Sequence, residues 1–181
     1  MISMEQGFCI WLTGLSGAGK TTIAQEISKR LRKSRHIEVM DGDEIRRGLS
    51  SDLGFSKEDR NEHNKRVIFC AKLLARNGVI VIVALISPYR ETRAYAKEQV
   101  QNTFEVFVKA PLDVCIERDP KGLYKKALAG EIKQFTGIDD PYEEPLKADV
   151  VVETDKENVK ESVDKILAVI HKRGLLSEQL L

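Results

Sequence analysis

Residues Gly14 to Thr22 read GLSGAGKTT, with Gly14, Gly19, Lys20 and Thr21 at the fixed positions of the phosphate-binding pattern G-x-x-x-x-G-K-[ST]. Each type has a task. Glycines let the backbone turn tightly, so successive N–H groups point inward at phosphate oxygens. A lysine places a cation on the β- and γ-phosphates, and the hydroxyl after it ligates Mg²⁺. The run therefore predicts an ATP site built from Gly14, Leu15, Ser16, Gly17, Ala18, Gly19, Lys20, Thr21 and Thr22, with Thr21 as a Mg²⁺ ligand.

That loop works only between a strand and a helix. Phe8 to Leu12 is a short apolar run suited to a buried strand. Ile23, Ala24, Ile27 and Leu31 then recur at helical spacing. The alternation continues: a strand at 37–40, a helix opened by Ser56, and an apolar β-branched strand at 79–86. A helix at 92–100, a strand at 104–108 and a short helix at 112–118 follow. Residues 149–153 read as the last strand. Thr154 and Glu157 read as a capping box for a final helix carrying Val159, Val163, Ile166, Leu167 and Ile170. Such alternation predicts a three-layer α/β fold with a mostly parallel sheet, its ligands at the strands' carboxyl ends.

Other reactive types follow the strands. Asp41-Gly42-Asp43 comes after the second strand, where a carboxylate could orient a hydroxyl, accept its proton or hold Mg²⁺ through water. The competing reading is a polar turn in which Asp43 caps a helix. Arg46, Arg47, Arg60, Lys65 and Arg66 could converge on an anionic acceptor or form a solvated face paired with Glu44, Glu58 and Glu62. The central strand ends in Ser87-Pro88-Tyr89-Arg90 without the Asp that supports Mg²⁺ in many motor and switch NTPases. Residues 119–145 are rich in Lys, Gly, Asp and Pro with weak periodicity, which predicts a lid within a single 1–181 domain. Phe55 and Phe135 stand in polar surroundings, as core anchors or as platforms for a base.

The bulk properties narrow the class. Lys+Arg number 29 and Asp+Glu 28 in 181 residues, so bulk charge does not favour nucleic acid. Cys9, Cys70 and Cys115 lack metal spacing and read as thiols of a reducing compartment. The first residues, MISMEQG, carry no signal pattern, and no apolar run is long enough to span a membrane. These features predict a cytoplasmic protein.

Together the segments resemble adenylylsulfate kinase (APS kinase). The resemblance rests on GLSGAGKTT, Asp41-Gly42-Asp43 with Arg46, Asp52-Leu53-Gly54-Phe55-Ser56, Asp59-Arg60, Ile86-Ser87-Pro88-Tyr89-Arg90, the run Arg118 to Ala127, and Phe135-Thr136-Gly137-Ile138. It implies a P-loop kinase fold and transfer of the ATP γ-phosphoryl to the 3′-hydroxyl of adenosine 5′-phosphosulfate. Arg46 and Arg60 would then hold the phosphosulfate, and Phe55 and Phe135 would sandwich the adenine. Ile86, Ser87, Lys121 and Leu123 would line the acceptor pocket, Asp43 would stand nearest the reacting hydroxyl, and Arg118 would lie near the ATP base. The family pattern also implies a phosphoserine at Ser87, though direct in-line transfer needs no such carrier. Its members are usually dimeric, and coupling to ATP sulfurylase is implied. Where the family commonly has Asn and Arg, this chain has His63 and Lys65, and Asn64 could take over the acceptor contact if the helix shifts register slightly. Two other readings are a P-loop kinase of another small acceptor, such as a nucleoside monophosphate or a sugar, and a nucleotide-binding module without turnover.

Overall fold

A computed structural model describes residues 6–178. Residues 1–5 and 179–181, including most of the N-terminal segment read above for signals, lie outside the described residues. Five parallel strands form one sheet in the order β2-β3-β1-β4-β5: β1 Phe8–Thr13, β2 Ile37–Asp41, β3 Ile80–Ala84, β4 Thr103–Lys109 and β5 Val150–Glu153. The helices are α1 Lys20–Leu31, α2 Gly42–Leu49, α3 Lys57–Ala75, α4 Arg90–Gln99, α5 Leu112–Arg118, α6 Leu123–Leu128 and α7 Val159–Lys172.

Two-residue alternation along β1 divides the core. Phe8, Ile10 and Leu12 pack with Ile23, Ile27, Val163 and Ile166 of α1 and α7. Cys9 and Trp11 pack with Val67, Ala71 and Ala96 of α3 and α4. Both faces of the central strands are thus covered, the reason β1 and β3 read as continuous apolar runs. The chain leaves β1 for α1 on one face and β3 for α4 on the other. Their adjacent carboxyl ends form the switch point at which α/β folds bind ligands.

Three boundaries differ from the sequence reading. The Thr154 capping box does not form. The Thr154 hydroxyl donates to the Ala18 carbonyl at 2.7 Å, and the box is built one turn later by Asn158 and Glu161. Asp43 does not cap α2. Asp41 does, accepting from the Asp43 N–H, which leaves the Asp43 carboxylate free for another partner. β3 ends at Ala84, and Ser87 beyond it takes a left-handed conformation at φ 44°. Within 119–145 the structure also forms the short helix α6, which weak periodicity concealed.

Candidate active site

The phosphate loop grows directly from β1. A Cβ at Gly14 would lie 2.3 Å from the Val108 carbonyl oxygen, so only glycine permits that approach to β4. Gly19 enters α1 at φ 104°, a conformation costly for other residues. Helix α1 has no side-chain cap and no acid in its first turn, whereas Asp41, Ser56 and Asn158 cap α2, α3 and α7. Its leading N–H groups are kept for an anion. Lys20 is buried and donates to the carbonyls of Gly14 at 2.9 Å and Leu15 at 2.7 Å. Burial pulls its pKa down to about 8. The Thr21 hydroxyl donates to Asp41 Oδ2 at 2.6 Å. Arg118 donates to the Gly17 carbonyl and to both oxygens of Thr154, at the outer side of the loop.

A single cleft of about 1070 Å³ runs from this loop across the ends of β1 and β3. Its far wall is cationic and aromatic. Arg46 lies 4.5 Å and Arg60 5.7 Å from the centre of the Phe55 ring. Arg46 also donates to the Gly54 carbonyl at 2.7 Å, and Arg60 donates to the carbonyls of Phe55 and Gln134. Phe55 is 54% exposed although it lines this wall, an unusual place for a large apolar ring. Phe135 faces the same cleft but is buried, its ring edge-on to Tyr124. Lys121 reaches across to Asp43. Ile86, Ser87 and Leu123 complete the lining.

Helix α3 sends Arg60, His63 and Asn64 to the cleft from one face, while Lys65 points to solvent. Asn64 reaches it in a regular helix, without a shift of register. Its Oδ1 accepts from the Ser87 hydroxyl at 3.0 Å, and Ser87 accepts from the Trp11 indole at 3.1 Å. His63 pairs through Nδ1 with the Ser50 hydroxyl at 2.8 Å, and burial among Arg46 and Arg66 pushes its pKa down to about 4. His63 is thus a neutral, buried part of the wall.

A family model for adenylylsulphate kinase matches residues 6–153. This chain belongs to the adenylylsulphate kinase family. It is 55% identical over 175 residues to an adenylyl-sulfate kinase of Rippkaea orientalis, covering 96% of this chain and 97% of that one. It is 54% identical over 169 residues to a probable bifunctional SAT/APS kinase of Sorangium cellulosum, covering 93% of this chain but 29% of that protein. The Mycobacterium tuberculosis APS kinase CysC, solved with AMPPNP and APS, superposes with a TM-score of 0.87 at 42% identity, covering 92% of this chain and 98% of that one.

For this adenylylsulphate kinase family member, the structure brings the candidate residues into one cleft except Gly14, Leu15 and Ala18, which lie behind its lining, and Arg47, Lys65 and Arg66. Arg47 and Lys65 are exposed, and Arg66 pairs with Asp52 and Glu62, so for these three the solvated-face reading holds. Sequence reasoning underrated three residues. Asp41, named only with its neighbours, is the carboxylate against Thr21. Arg93, fully buried, donates to Glu105 at 2.8 Å and to the Ser87 carbonyl at 2.6 Å, holding the strained turn from below. Tyr124 sits beneath the cleft and joins its two ends. An arginine in a polar helix and a tyrosine in an aperiodic stretch carry no signal by type or spacing.

Proposed function

We propose that this chain transfers the γ-phosphoryl group of ATP to the 3′-hydroxyl of adenosine 5′-phosphosulfate, yielding ADP and 3′-phosphoadenosine 5′-phosphosulfate. One observation supports the reading above all: a phosphate loop and a wall of two arginines and two phenylalanines line the same cleft. The loop suits the donor. The guanidinium pair suits phosphosulfate oxygens, and the rings suit adenine.

In the reaction the 3′-oxygen bonds to the γ-phosphorus while the bond from that phosphorus to the β-bridging oxygen breaks. The hydroxyl proton passes to the Asp43 carboxylate, which is well exposed at the head of α2. Lys20 and the loop amides hold the donor phosphates, and Lys121 brings a second cation to the developing charge. Arg118 stands toward the donor base. Ser87 is already committed to Trp11 and Asn64, which supports a positioning role over a phosphoryl carrier.

Mg²⁺ fits the oxygen pair of Thr21 and Asp41, hard ligands 2.6 Å apart beside the loop. Thr21 would hold the ion, with Asp41 rather than the Lys121-paired Asp43 as the supporting carboxylate. When bound, the ion supplies charge neutralisation to the phosphates. Among the described residues no three His, Cys, Asp or Glu side chains cluster as a metal site.

Segment 119–145 serves as the lid over a single domain. No described helix is long and apolar enough to cross a membrane. A cytoplasmic location, a homodimer and functional coupling to ATP sulfurylase complete the proposal. The family resemblance supports the last two, and light scattering of the purified chain tests the dimer. The function is tested with labelled ATP and a panel of APS, AMP, CMP and gluconate. Labelled product is expected with APS alone; label in CMP or gluconate with none in APS would overturn the acceptor assignment.

A further inference from the structure

Tyr124 is fully buried and does not line the cleft, yet it touches both ends of it. Its hydroxyl donates to the carbonyl of Ser16 in the phosphate loop at 2.9 Å. Its ring meets Phe135 edge-on, with centroids 5.0 Å apart at 79°. Its own N–H donates to Asp119 Oδ1 at 3.1 Å, which fixes the first turn of α6. The neighbours Lys121 and Leu123 do face the cleft.

The far end of this link is also tied down. The Phe135 N–H donates to Asp139 Oδ1 at 2.6 Å, and the adjoining Gln134 carbonyl accepts from Arg60. Gln134 adopts φ 56°, a left-handed conformation that surrounding contacts must hold in place. A displacement of the Ser16 carbonyl thus meets an unbroken series of packed groups: phenol, ring, Phe135, Gln134 and the Arg60 guanidinium. Burial raises the pKa of the phenol, so it stays protonated and remains a donor throughout the working pH range.

We propose that Tyr124 is a positioning residue that couples the phosphate loop to the acceptor wall, so that a nucleotide in one half changes affinity in the other. The inference rests on the two-nucleotide reading of the cleft. Coupling between binding sites is reciprocal, so it can be read from either ligand.

The test uses Tyr124→Phe, which removes the hydroxyl and keeps the ring against Phe135. ADP is titrated calorimetrically into each protein alone and saturated with APS, a pair that cannot react. In the wild type, APS is expected to change the ADP dissociation constant by about 5-fold or more, the low end of ordinary coupling. In Tyr124→Phe the ratio is expected to fall toward unity. A ratio of unity in the wild type, or an equal ratio in both proteins, would overturn the proposal. Hydrogen exchange with ADP alone gives a second readout that does not involve APS. Amides at 134–140 should slow with those of the loop in the wild type and not in the variant. Slowing confined to the loop in the wild type would sink the link. If APS fails to bind the wild type while ADP binds, the acceptor reading falls by itself, and the exchange result still decides the role of Tyr124.

Discussion

Lys121 donates to Oδ2 of Asp43 although 78 residues separate them in the chain. The pair joins the start of the lid to the first turn of α2, over the line between phosphate loop and acceptor wall. Both side chains are substantially exposed, so the bridge adds little to stability. Its place points to chemistry instead.

Asp43→Asn should therefore lower kcat by about 10²–10⁴-fold, the usual range for a lost general base. Lys121→Ala should also lower kcat. Because the two groups meet, the double variant should fall short of the product of the single effects. Steady-state rates on the three variants check this, and strictly multiplicative losses would mean the residues act apart.

The two acceptor phenylalanines should behave differently. Phe55 is exposed between two guanidiniums and supports no core. Phe55→Ala should raise the KM for the acceptor about 5- to 150-fold, equivalent to the range of about 1–3 kcal/mol for base stacking, with little change in melting temperature. Phe135 is buried and belongs to the core around Tyr124. Phe135→Ala should weaken the acceptor and also lower the melting temperature, since large-to-small core changes cost about 3–5 kcal/mol. An unaltered acceptor KM in Phe55→Ala would remove that ring from the site.

Lys20 must carry its proton to hold donor phosphates, and burial places its pKa at about 8. Raising the pH through that value discharges the free enzyme's ammonium. The kcat/KM for ATP should then decline about tenfold per unit well above it, since this parameter follows free-enzyme ionisations. Binding of phosphate restores the charge, so kcat at saturating ATP should hold to higher pH. A pH profile of both parameters decides. Coincident declines would place the ionisation elsewhere.

His63 affects stability with the opposite pH sense. Its folded pKa of about 4 lies below the ordinary imidazole value of about 6.5. As pH falls from 6.5 toward 4, the unfolded chain takes up a proton that the folded chain refuses, and stability is lost. The unshifted linkage gives an upper bound of about 3 kcal/mol. Urea unfolding at neutral and mildly acid pH should show a smaller acid loss in His63→Gln than in the wild type. Equal losses would assign the effect to other groups.

Local order made much of this legible. GLSGAGKTT between an apolar run and a 3.6-residue stripe leaves few options for backbone conformation, so loop and α1 could be read directly. Ser56 as a cap succeeded for the same reason, since its partner lies three residues away. The capping box at Thr154 failed because the Ala18 carbonyl, 136 residues distant, takes its hydroxyl. Asp43 as a cap failed because Asp41 stood two residues earlier in better register.

Composition and spacing were enough for an α/β sheet, a nucleotide loop and a family likeness, because each depends on contacts within a turn or two of chain. Folding settled which carboxylate serves Thr21, which faces Lys121, and that Asn64 rather than Lys65 reaches the acceptor wall. It also placed Arg93 and Tyr124 under the cleft. These assignments join residues far apart in sequence, and their geometry is set by how helices pack on a twisted sheet, which no local pattern encodes.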